Sequence, residues 1–261
     1  MSPTISSKSL PSSESATFTD SSFFSRNGPG AQLPSPADVR ARSATQARWT
    51  RNYAEPPARF EELGLVVKFG GTPGVTVAEG QYMELVQGVT LEDRWVTLDR
   101  TGLRHAPDDG FFLGHVNREP LGDIVFTNEN RPPAGPFQSV AEFHDWLSLQ
   151  TGTGLEAHWP GKQPWEIPDP YRDGLPDNAA VVFTHADLHP SNIIVSRCSP
   201  CKIAALIDWR QSGWYPEYWE CCKAFYTAEV RGEWMEKYIP LFLDEPACID
   251  TFDDYARTFG Y

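Results

Sequence analysis

Three short apolar runs set the frame of this chain: residues 181–184, 193–195 and 203–207. Each is brief, rich in β-branched residues and bounded by Pro, Ser or Asn, the pattern of a buried strand rather than of a helix. They place His185, Asp187 and Asn192 on a loop between two strands, and Asp208 where the third strand ends. Helical spacing appears on either side. Ser139-x-x-Glu142 has the form of a capping box, and Phe143, Trp146 and Leu147 follow at i, i+3, i+4, which predicts a core helix. Pro216 is read as the opening of a helix over 217–230, with further helices over 233–243 and 246–259. Nearer the N-terminus, residues 63–69 read as a strand carrying Lys68, and residues 76–86 as a helix. Ser35, Pro36 and Asp38 supply a cap, a first position and an acidic first turn for a helix over 34–49.

Residues 1–33 lack any such pattern. Ten of the first 25 residues are Ser, and a segment of that kind buries too little surface to offset the entropy of ordering it. A disordered tail is expected there. Beyond it, 261 residues with 40% hydrophobic content, nine Trp and fifteen Phe are ample for one large or two small domains. No apolar run reaches the eighteen or so residues of a membrane span, and the N-terminus lacks the pattern of a secretory signal. A cytoplasmic protein is expected. The net charge of -13 disfavours nucleic acid and anionic membrane as partners, since both are held by basic faces. Cys198, Cys201, Cys221, Cys222 and Cys248 are expected to be reduced. Cys198-Ser-Pro-Cys201 has the C-x-x-C form of a zinc or redox site. A hairpin turn over 197–202 is the simpler reading, because Cys221 and Cys222 are adjacent and diverge on any helix.

The chemistry concentrates in the loop and the strand end that follows it. His185-x-Asp187 with Asn192 five residues after the Asp has the form H-x-D-x-x-x-x-N, and Ile207-Asp208-Trp209 follows two strands later. A base, an amide and a carboxylate converging on one cleft is what metal-assisted phosphoryl transfer requires. On these residues, and on Gly213-Trp-Tyr-Pro-Glu-Tyr-Trp-Glu220 beyond them, the chain resembles the aminoglycoside phosphotransferase family, the small-molecule branch of the protein-kinase-like fold. Its wording is closest to the divergent fungal members. The resemblance implies an α+β, two-lobe fold with a reduced N-terminal lobe over 34–86 and a mainly helical C-terminal lobe over 87–261. It also implies ATP and magnesium as cofactors and a small-molecule hydroxyl as acceptor. Asp187 would orient and deprotonate that hydroxyl, Asn192 and Asp208 would hold magnesium, and Lys68 would reach the phosphates while pairing with Glu79. For Glu79 a second reading stands beside this one, since Thr76-x-x-Glu79 is also a capping box. Trp209-Arg210 in place of Phe-Gly argues against an activation switch of the protein-kinase type.

Set against that family, the chain shows two internal gaps. Two strands and the adenine-binding hinge are missing between the helix over 76–86 and the segment Gln87 to Trp95, and a long helix behind the catalytic loop is missing between Trp95 and Leu103. A splice form or an incomplete gene model is the reading of those gaps. Two further function classes therefore stay open. A pseudokinase-like binding protein or truncated isoform would keep the motif without turnover, and ATP binding separates it from the enzyme. A metallohydrolase would use His185, Asp187 and His189 as zinc ligands, and a metal assay separates that one. His185 is read as a brace of the loop rather than a proton carrier. Glu217 and Glu220 fall in the first turn of their helix and suit its dipole. Neither the acceptor nor the oligomeric state has a readable signal.

Overall fold

A computed structural model of the chain describes residue 17 and residues 19–46, 58–69, 112–115, 117–126, 131–155, 158–195 and 203–259. The described residues fall into two compact units, one within residues 11–88 and one within 89–261. Together they mix helices with small antiparallel sheets, an α+β composition.

The smaller unit holds helices α1 (Ser22–Asn27) and α2 (Pro36–Gln46) and the antiparallel pair β1 (Ala58–Phe60) and β2 (Leu65–Val67). Ala58 lies opposite Val67 and Phe60 opposite Leu65. The start of α2 is the predicted one. The Asp38 amide donates to Ser35 Oγ at 3.2 Å and the Ser35 amide donates to the Asp38 carboxylate at 3.0 Å, a capping box with Asp in place of Glu. Val39, Ala58 and Phe60 form a small core with Leu63, Leu65, Val67 and Phe69 packed against it. The strand expected over 63–69 is shorter, because residues 61–63 form a tight turn closed by Gly64 at φ 62, a left-handed conformation that suits glycine. The expected tail also departs from its prediction. Phe23 and Phe24 are buried and meet edge to face at 5.0 Å, while Arg26 and Asn27 donate to the carbonyls of Gly64 and Leu63. Two adjacent aromatics supply apolar surface that a count of serines overlooks. The helix over 76–86, with Glu79, and the two gaps up to Leu103 lie outside the described residues.

The larger unit contains α3 (Val140–Leu155), β3 (Val181–Thr184), β4 (Ile193–Val195), β5 (Ile203–Leu206), β6 (Gly213–Pro216), α4 (Trp219–Thr227), α5 (Ile239–Phe242) and α6 (Ile249–Thr258). All three predicted strands are present. The fourth strand differs from the prediction: β6 pairs antiparallel with β3, Pro216 opposite Val181 and Gly213 opposite Thr184. Pro216 therefore ends a strand instead of opening a helix, and α4 begins only at Trp219. β4 pairs antiparallel with β5, so one pair is nested inside the other in the sequence. That nesting brings the β3–β4 loop and the β5–β6 loop to the same end of the strands, which is how motifs twenty residues apart come to share a site. The connecting residues 196–202, with Cys198 and Cys201, lie outside the described residues.

Two helices deviate from their sequence patterns for local reasons. At α3 the Glu142 amide donates to Ser139 Oγ at 3.0 Å as a capping box requires, but the Glu142 carboxylate takes the amide of Gln138, not that of Ser139. Ahead of α5 the chain makes a wide π turn over Trp234–Tyr238. Pro240 has no N–H to return to the preceding turn, so a regular helix over 233–243 is broken at its centre.

The core of this unit is aromatic and centres on Trp219. Its ring stacks on Tyr215 at 5.4 Å, and Phe252 and Phe143 meet it edge-on at 4.9 and 5.3 Å, which joins α3, β6, α4 and α6 in one cluster. Residues 113–115 and 117–126 pack on the same scaffold, with Gly114 and Trp214 exchanging both backbone hydrogen bonds. Among the described residues no helix is long and apolar enough to cross a membrane.

Candidate active site

The loop from His185 to Asn192 is fixed from both ends by its own side chains. His185 Nδ1 accepts the amide of Asp187 at 3.2 Å, which leaves Nε2–H to donate to the carbonyl of Ile207 at 3.0 Å. One imidazole thus ties the loop to the end of β5, next to Asp208. Its ring also packs against Trp209 with centroids 4.4 Å apart. The brace expected of His185 is what it provides. His189 caps the short turn over Pro190–Asn192, with Ser191 N–H and Oγ both on its Nδ1.

Asn192 is buried and ties the motif together. Its Nδ2 donates to the Asp187 carbonyl at 2.9 Å and to the Asp187 carboxylate at 3.0 Å, while its own carbonyl accepts the amide of Ile207 at 2.9 Å. The amide nitrogen is therefore committed to Asp187. Asn192 Oδ1 takes only a long 3.5 Å contact from Ser191 Oγ. Asp208 sits one residue past Ile207 at φ 66, a left-handed conformation that turns the chain sharply out of the strand. Its charge is close enough to act on Asp187. Burial pushes the pKa of Asp187 up; Lys223 pulls it back, Asp208 raises it again, and the Asn192 hydrogen bond lowers it. The structure thus brings Asp187, Asn192 and Asp208 together. Asn192 Oδ1 and the Asp208 carboxylate are hard oxygen donors, the set that magnesium takes. Lys68 lies in the smaller unit, one residue past the end of β2 and partly exposed.

The zinc arrangement of His185, Asp187 and His189 does not form. Both ring nitrogens of His185 are engaged in bracing, and among the described residues no group of three or more His, Cys, Asp or Glu side chains is placed to hold a metal ion. Cys221, Cys222 and Cys248 are free thiols buried in the core, and burial pushes Cys221 up to about 12.

Two parts of the site escaped the sequence. Glu220 does stand in the first turn of α4, but its carboxylate does more than face the helix dipole. One oxygen accepts the amide of His185 at 2.6 Å and the other that of Ala186 at 3.0 Å, clamping the loop over 185–192 from behind. Ala186 needs such a clamp, being a fully buried alanine at φ 61. Behind Glu220 lie Asp123 and Lys223, paired at 2.8 Å with no exposed side-chain surface. Ionic residues among apolar ones at Trp219-Glu-Cys-Cys-Lys223 were the available signal, since on a buried helix face each needs a partner. An Ala186→Val chain is expected to lose at least about 2 kcal/mol of stability in denaturant unfolding, because a β-branched residue cannot take the left-handed conformation and finds no room. A cost under about 0.5 kcal/mol would show that the backbone there is not strained.

The comparisons with known proteins bear on this site directly. Residues 128–252 match the family model described as the phosphotransferase enzyme family. The matched span contains Asp187, Asn192, Asp208 and Glu220. No curated protein and no solved structure matches the chain.

Proposed function

We propose, from the match of residues 128–252 to the phosphotransferase enzyme family, that the chain transfers the γ-phosphoryl group of ATP to a hydroxyl of a small-molecule acceptor. The observation that carries this reading is the bond of Asn192 Nδ2 to the Asp187 carboxylate, with Asp208 beside them. It presents one carboxylate to an acceptor and leaves a carbonyl oxygen and a second carboxylate for a hard cation. Asp187 accepts the hydroxyl proton and aims the attacking oxygen. Asn192 Oδ1 and Asp208 hold magnesium, and His185 keeps their two loops in register. Magnesium bound there with ATP supplies charge compensation for the phosphates during transfer.

In the same reading residues 34–86 are a reduced N-terminal lobe that delivers Lys68 to the phosphates, with Glu79 as its partner, and residues 87–261 form the C-terminal lobe of a two-lobe, kinase-like fold. The protein is placed in the cytoplasm. A net charge of -13 suits a cationic acceptor better than an anionic one.

Thermal unfolding with and without magnesium and ATP tests the reading. A ligand at a hundredfold excess over its Kd adds about 2.7 kcal/mol to the native state, a resolvable rise in Tm. The rise is expected to need both magnesium and ATP and to vanish in Asp208→Ala. A chain that unfolds cooperatively without any such rise is not a magnesium-dependent phosphotransferase.

A further inference from the structure

Burying an ion pair costs more in lost hydration than the attraction commonly returns, so a fully enclosed pair beside a reactive loop calls for an explanation. Asp123 and Lys223 are such a pair. Asp123 Oδ1 accepts the amide of Val125 at 2.9 Å and Lys223 Nζ at 2.8 Å, while Oδ2 accepts the indole N–H of Trp219 at 2.8 Å. Lys223 makes a second bond to Gln211 Oε1 at 3.2 Å, an oxygen that also accepts the amide of Ile124. Its position is thus fixed by partners from two separate segments, one at Asp123 and one at Gln211. On α4, Lys223 follows Glu220 at i+3, so the two side chains leave the same side of the helix.

We propose, on the basis of the phosphotransferase reading, that Lys223 is a positioning residue: its buried charge, held in place by Asp123, keeps Glu220 anionic, and anionic Glu220 holds the catalytic loop in its working shape. The two amides of His185 and Ala186 require two acceptor oxygens. A carboxylate has them. A carboxylic acid turns an O–H toward one amide, donor against donor, and the grip is halved. Ala186 then loses support for its left-handed conformation, and Asp187 follows it directly in the chain.

Among the described residues, the charges facing Glu220 are few. Lys223 on its own helix favours the anion, and Asp187 on the loop opposes it. Tyr215 on β6 and Cys221 beside it are themselves pushed up and stay neutral, and the ring of His185 is turned to its own two partners. Close packing outweighs Lys223 and the two amides and raises Glu220 from its ordinary 4.5 to about 7. The latch therefore stands near its balance point at neutral pH, where loss of one opposing charge is decisive. The sign separates release of the loop from unfolding. An acid raised in the folded state adds stability below about 4.5, and that contribution is lost as pH rises through about 7. The grip on the loop runs the other way, being lost as pH falls through the same range.

Amide hydrogen exchange of the full chain, read as protection factors at His185 and Ala186 between about pH 5 and pH 9, tests the proposal without nucleotide or acceptor. In the natural chain and in Lys223→Arg, protection at these two amides is expected to fall with decreasing pH around a midpoint of about 7. Lys223→Met is expected to raise that midpoint by about one pH unit or more, Asp123→Asn to lower it, and Glu220→Gln to abolish it. An unmoved midpoint in Lys223→Met overturns the proposal, and if that variant does not fold, an unmoved or raised midpoint in Asp123→Asn overturns it equally. A shifting midpoint in a protein that transfers no phosphoryl group would sink the enzyme reading and leave the latch. Turnover with an immovable midpoint would do the reverse.

Discussion

An Asp187→Asn chain is expected to keep its fold and to lose the proposed phosphoryl transfer by a factor of about 10²–10⁴ in kcat, the range that a positioned general base contributes. Asn matches Asp in shape, so the bond from Asn192 Nδ2 has an oxygen to meet and the loop keeps its geometry. What is lost is the ability to take a proton. The environment adds a second signature in the natural chain. Burial raises the pKa of Asp187 and the charge of Asp208 raises it further, against the pull of Lys223 and of the Asn192 hydrogen bond. A protonated Asp187 is no base, so kcat is expected to fall as pH falls through its titration. Steady-state kinetics across pH with an acceptor found by screening checks both points. An Asn variant within a factor of about three of the natural chain would remove Asp187 from the chemistry.

The parts of this protein that the sequence discloses are those whose causes are local. β3 and β4 could be bounded to the residue because each is a short β-branched run closed by polar residues, and β5 was overrun by a single position. The cap at Ser139 was readable because its partner, the Glu142 amide, is three residues away. Loop motifs belong to the same class: Asp187 and Asn192 are five residues apart, and their contact follows from one tight turn. Opaque features depend on distant partners. Glu220 reaches its amides across 34 and 35 residues, and Lys223 finds Asp123 across 100, so neither bond leaves a periodic trace. Pro216 was misread for a related reason. A proline can open a helix or end a strand, and only the pairing with Val181 chooses between them. The aromatic pair Phe23 and Phe24 shows the opposite failure, in which composition over thirty residues concealed two that could be buried.

Truncating Trp219 to Ala is expected to be among the most destabilising single changes in the larger unit, costing about 3–5 kcal/mol. The side chain is 1% exposed and sits where β6, α3, α4 and α6 meet, so the neighbouring rings cannot all close on the space it leaves. The loss is chemical as well as volumetric. Without the indole N–H, one oxygen of a fully buried Asp123 has no donor, which strains the ion pair with Lys223 from the other side. Against a domain stability of about 5–15 kcal/mol, that cost threatens folding outright. Trp165, 72% exposed, is the control, and Trp165→Ala is expected to change stability by less than about 0.5 kcal/mol. Denaturant midpoints at constant m decide between them. Equal effects of the two substitutions would mean that the core does not centre on Trp219. The expected inequality would explain why the scaffold of the loop is so aromatic: Trp219 immediately precedes Glu220, so the ring that anchors the helix also fixes the carboxylate that grips the loop at His185 and Ala186.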